Sequence, residues 1–91
     1  MTVRVFASFE RSLASLSPGD RQATEDALDQ LLRFIGEGRR PQGLGFRKLE
    51  DRFWEIRVDL RQRVLVEMEG DVLSLVLVGP HDDIRRALRR R

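Results

Sequence analysis

The stretch FWEIRVDLRQRVLVEMEG, residues 53–70, decides how the chain is read. Its two halves alternate apolar and polar residues around a short polar break, the pattern of paired strands with one buried face. Trp54, Ile56 and Val58 share a side of the first half, and Val64, Val66 and Met68 share a side of the second. Arg57 and Arg63 therefore point the other way, and a turn at DLRQ, residues 59–62, sets them opposite each other. Like charges facing one another on a sheet are unfavourable. They call for counter-charges, with Glu55, Glu67 and Asp59 at hand, or for an anionic partner.

Further along, EGD at 69–71 turns the chain into VLSLVLV, the most buried-looking strand. GPHDDIRRALRRR closes it as a turn and a helix in which Ile84 and Leu88 share a face. Upstream, FRKLE at 46–50 is a short, marginal strand, and glycine-dense GEGRRPQGLG at 36–45 ends a helix. That helix starts at SPGD, with Ser17 as N-cap and Pro18 in the first turn, and carries Ala23, Ala27, Leu28, Leu31 and Ile35 as one apolar stripe. Phe9, Leu13 and Leu16 mark a shorter helix over about 8–16, after a first strand at Val3 and Val5. The order is β-α-α-β-β-β-β with a short C-terminal helix. It predicts an α+β fold, a helical hairpin on one face of an antiparallel-dominated twisted sheet, in a single domain spanning 1–91. The sheet would have a dry face under the helices and an open basic face.

The 91 residues contain no cysteine, which excludes disulfides, thiolate catalysis and cysteine-ligated metals. No apolar stretch is long enough to cross a bilayer, and the first residues lack an apolar signal segment, so a cytoplasmic protein without membrane contact is expected. The net charge of +2 hides an asymmetry. Residues 1–37 balance at −2 and residues 38–91 at +4, and Lys48 is the only lysine among 17 basic residues. Arginine presents a rigid fork suited to phosphate. Arg61 sits on the hairpin turn, and Arg39, Arg40, Lys48 and Arg52 could line the same rim as candidate RNA contacts.

His81 is the single histidine, placed where the last strand leaves the sheet and followed by Asp82 and Asp83. It reads either as an acid or phosphate donor or as part of a helix-capping turn whose acids favour the new N-terminus. One histidine without cysteine makes poor metal-site material, and no Walker or dinucleotide glycine pattern is present, so neither metal nor cofactor is expected.

The landmarks Lys48-Leu49, Arg57-Val58, Arg63-Val64 and His81-Asp82-Asp83-Ile84 occur in an order that resembles the RelE/ParE superfamily of bacterial toxins from toxin–antitoxin pairs. With the helical hairpin, the resemblance covers nearly the whole chain. It implies a RelE/ParE-like fold and, nearer the RelE branch, a ribosome-dependent endoribonuclease that cleaves mRNA through attack by the ribose 2′-hydroxyl, without a metal. By resemblance, Lys48 matches a base or phosphate contact, and Arg57 and Arg63 match positions that bind phosphate and transition-state charge. His81 stands nearest the family arginine at the end of the last long strand. A cognate antitoxin, the ribosome and mRNA are the implied partners, and a toxin–antitoxin heterotetramer fits that pairing. Leu32 and Phe34 are candidates for its docking groove.

The chain departs from the family pattern in having no tyrosine. The closing segment holds Ile84 and Arg85 instead, so a stacking or proton-handling role is absent or transferred to His81 or Arg85. This departure favours an alternative, a non-nucleolytic binding protein of the same fold, either a gyrase inhibitor or a degenerate toxin. A third reading, a plain RNA-binding protein, predicts salt-sensitive RNA binding without the ribosome.

Overall fold

The computed structural model describes residues 1–39 and 46–90. The elements follow in the expected order: β1 (Thr2–Val5), α1 (Ala7–Ala14), α2 (Pro18–Gly36), β2 (Phe46–Glu50), β3 (Phe53–Arg57), β4 (Arg63–Glu69), β5 (Val72–Gly79) and α3 (His81–Arg90). Ser17 caps α2 as its sequence requires, its Oγ accepting from Asp20 N at 3.3 Å with Pro18 in the first turn. Inside α2, Thr24 is buried because its hydroxyl donates back to Asp20 O at 2.9 Å.

The five strands lie in the order β1-β5-β4-β3-β2. Strands β2 to β5 form an antiparallel meander, and β1 joins the far side of β5 in parallel, pairing Thr2 with Val72 through Val5 with Leu75. β5 thereby gains a partner on each side, which suits its nearly continuous apolar run. Beyond Leu75 the neighbouring strand has ended, and α1 takes its place. Ser8 Oγ donates to Val76 O, and Ser12 Oγ accepts from Val78 N at 3.0 Å. A register shift at this point, between Leu65 and Val66 of β4, lets Leu75 and Val78 face the same core although three residues apart.

That first core lies between the sheet and the α1–α2 hairpin, and gathers Phe9, Leu31, Ile56, Val64, Val66 and Leu73. A second core departs from the expected open face. On the opposite side of the sheet, Phe53 and Leu65 are buried under Ile84 of α3, with Leu49, Leu77 and Leu88 around them. The Ile84–Leu88 stripe needed an apolar surface, and Phe53 and Leu65 supply it, so α3 folds back over the face expected to be free of helices. Phe34, expected as an exposed docking residue, is 9% exposed, whereas Leu32 remains half exposed.

Candidate nucleic-acid interface

At the end of the sheet not covered by α3, the hairpin register pairs Arg57 with Arg63 directly. Arg57 is exposed and has no ion-pair partner among the described residues. Arg63 is held down, its side chain 18% exposed and its Nε 3.5 Å from Glu55 Oε1. The same carboxylate oxygen lies 3.8 Å from Arg47 Nη1. Of the three counter-charges available in sequence, Glu55 serves Arg63 and Arg47, and Glu67 goes to Arg52 at 2.6 Å. Asp59 shapes the turn instead. Its Oδ1 accepts from the backbone N–H groups of Gln62 and Arg61, each at 2.8 Å, and these bonds hold its carboxyl below the ordinary carboxylate range. The tip residue, Leu60, is 82% exposed.

The turn faces the start of α3 across an open groove of about 470 Å³, with Leu60, Gln62 and Arg63 on one wall and Pro80 and His81 on the other. Gly79 pairs with Arg63 and lets the chain bend sharply, since a Cβ there would meet Asp83 Oδ2 at 3.0 Å. This bend brings His81 beside Arg63. His81 Nδ1 and Gln62 Oε1 are both buried and lack a hydrogen-bond partner among the described residues. The groove thus joins fixed positive charge, a histidine and unsatisfied polar atoms.

The other expected site residues lie elsewhere. Lys48 pairs with Trp54, which puts its side chain on the α1–α2 side of the sheet, away from Arg57 and Arg63. The expected convergence of the three is therefore corrected by the β2 register, and Arg47, opposite Glu55, occupies the shared face instead. Arg52 stands at the far end of the sheet among Glu67, Asp51 and Glu69, and its hydrogen bond to Glu67 raises its pKa further. Arg39, also at that end, lies 4.1 Å over the Phe34 ring and 3.8 Å from Glu37. Arg61 ties the hairpin tip to α2 through Asp20 at 2.8 Å. Arg85 lines a separate shallow groove with Leu49, Glu50 and Arg89. Arg40 lies outside the described residues. Arg47 is the site residue that sequence reasoning passed over, whereas Glu55 is a counter-charge that the sequence itself offers. The two-residue period already set Glu55 on the side of Arg57, but the placing of Arg47 needed the register of β2.

No protein-family model matches the sequence, and no curated protein shows significant sequence similarity to it. Solved structures do match. YafQ from Escherichia coli superposes with a TM-score of 0.66 at 10% identity, covering 90% of this chain and 94% of that one. A copper-bound mutant toxin from Helicobacter pylori gives 0.62 at 15% identity, over 92% and 98% of the two chains. The toxin–antitoxin complex RelBE2 from Mycobacterium tuberculosis gives 0.59 at 19% identity, over 88% and 96%. The fold is that of RelE-type toxins, as the sequence resemblance implied. At these identities the likeness concerns the fold, and what the chain does is argued from its own residues.

Proposed function

We propose that the chain is the toxin of a toxin–antitoxin pair and a ribosome-dependent endoribonuclease acting on mRNA. The observation that carries this reading is the facing pair Arg57 and Arg63, one guanidinium free and the other tethered, beside His81 in an open groove. Two guanidiniums there hold the scissile phosphate and stabilise the charge that builds on it as the 2′-hydroxyl attacks. His81 protonates the departing 5′-oxygen, and the proton of the 2′-hydroxyl passes to water in the open groove. The chemistry needs no metal, and leaves a 2′,3′-cyclic phosphate. Lys48, on the opposite face, takes no part in it. An antitoxin covering the basic face is the expected partner, as a structural neighbour is a toxin–antitoxin complex. Among the described residues no helix is long and apolar enough to cross a membrane, in keeping with action in the cytoplasm.

A reconstituted translation reaction with primer extension on the message tests this. Wild type and Lys48→Ala cut the message on translating ribosomes, and Arg57→Ala and Arg63→Ala do not. Intact message with wild-type protein refutes the reading. One observation favours the non-nucleolytic alternative. Ile84, in the segment where active relatives place a tyrosine, is sealed in the second core, leaving outward-facing Arg85 as its neighbour. Intact message together with gyrase inhibition would establish that alternative.

A further inference from the structure

Glu55 is a carboxylate 3% exposed in the midst of arginines. Its Oε1 lies between Arg63 Nε at 3.5 Å and Arg47 Nη1 at 3.8 Å, both longer than the roughly 2.7–2.9 Å of a closed charge-assisted bond. Its Oε2 is buried without a hydrogen-bond partner, as is Arg63 Nε. A carboxylate so placed is unfavourable to folding unless the surrounding positive charge offsets its desolvation. An oxygen sealed in this way cannot take a proton from an incoming ribose, so Glu55 acts through charge.

The register sets Arg47, Arg57 and Arg63 on three neighbouring strands and on one face, with Glu55 among them. Three strands span about 10 Å between the outer two, wider than one phosphate. Arg47 is free to swing, its side chain 71% exposed.

We propose that Arg47, Arg57 and Arg63 form a cradle for two successive phosphates of single-stranded RNA, and that Glu55 is its built-in counter-ion, holding the cradle when RNA is absent and lowering its affinity for phosphate. This rests on the RNA-binding reading of the face. RNA phosphates compete with Glu55 for Arg63 and Arg47, so the resting cluster is partly neutralised by Glu55 and the bound one by phosphate.

The test is fluorescence anisotropy of a 2′-O-methyl RNA octamer, which cannot be cleaved, across a KCl series. Glu55→Gln tightens binding about fivefold, near the upper end of what a partly exposed ion pair contributes. Arg47→Ala weakens binding and lowers the slope of log K against log salt by about 0.7, one phosphate contact to a single strand. If Glu55→Gln binds no tighter while Arg57→Ala and Arg63→Ala weaken binding, the counter-ion role is overturned and the RNA reading stands. If neither arginine variant weakens binding, the RNA reading falls and the proposal with it. Should Glu55→Gln melt, exposed Arg47→Ala decides alone, and an unchanged affinity and slope overturn the cradle.

Discussion

Ser12→Ala separates two physical effects of opposite sign. Ser12 lies in α1, where alanine is the better helix former by about 0.5 kcal/mol, so local propensity predicts a small gain in stability. Its hydroxyl, however, accepts the N–H of Val78 at 3.0 Å and donates to Phe9 O at 3.0 Å. Val78 is buried in the first core at a point where β5 no longer has β1 beside it. Losing that acceptor leaves a buried donor unsatisfied, which costs about 1–3 kcal/mol. The net is a destabilisation of roughly 0.5–2.5 kcal/mol once the propensity gain is subtracted. For a chain of this size each kcal/mol lowers the midpoint by about 4–8 °C. Urea titration at 25 °C should show a lower midpoint with an unchanged slope, and a melting scan a matching shift. Ser15→Ala is the control, since its hydroxyl bonds only within the helix, to Arg11 O, at an exposed position. It should change stability by less than about 0.5 kcal/mol. A Ser12→Ala protein as stable as wild type, or more so, would refute the idea that α1 completes the hydrogen bonding of β5.

Ile84→Ala removes the α3 residue sealed between Phe53 and Leu65, and should cost about 2–5 kcal/mol in urea titration; a loss under 1 kcal/mol would show that the second core does not hold α3. Gly79→Ala drives a Cβ to 3.0 Å from Asp83 Oδ2 and 3.3 Å from Asp83 Cβ, and should cost about 1–3 kcal/mol. Adding Asp83→Ala should recover only part of that loss, because the Cβ contact persists; full recovery would locate the strain in the carboxylate alone. The lowered pKa of Asp59 means that its charge stabilises the fold above the unfolded-state value of about 3.9 and that this is lost as pH falls through the folded value. The stability gap between wild type and Asp59→Asn, by urea titration at a series of pH values, should therefore be full near neutrality and narrow in acid, and a gap that does not change with pH would remove the linkage.

The first core was legible because its signals are local. A period of two through Ile56, Val64 and Val66 and a helical period through Leu28, Leu31 and Ile35 each state a buried face without reference to the rest of the chain. The second core was not, although its residues stand in the same strands. Phe53 and Leu65 occupy the positions read as solvent-facing, and only the docking of α3, a contact between distant segments, turns that face inward. The same distinction runs through the site. The facing of Arg57 and Arg63 follows from a short turn between adjacent strands, so the sequence contained it. The exclusion of Lys48 depends on the register of β2, which a five-residue strand with a break at Lys48/Glu50 does not announce. Arg52 and Arg61 look like free cations in sequence because their acids, Glu67 and Asp20, lie 15 and 41 residues away.

The arginine end of the sheet is hard to account for by stability alone. Arg57 and Arg63 are directly opposed like charges, and Glu55 is a nearly buried carboxylate with one oxygen unpaired. Ionic clusters of this kind are often replaced by apolar residues at no loss of stability or with a gain. The neighbouring positions prove that apolar residues fit this face, since Phe53 and Leu65, a few ångströms further along the same strands, close a dry core under α3. The chain thus builds a conventional core at one end of a face and a strained charge cluster at the other, and sets the latter beside an open groove. Polar atoms of Gln62 and His81 left without partners in the same groove deepen that imbalance. An anionic ligand relieves the part of this that is excess positive charge, the facing guanidiniums of Arg57 and Arg63. It sets between the two guanidiniums the negative charge that Glu55 alone does not supply.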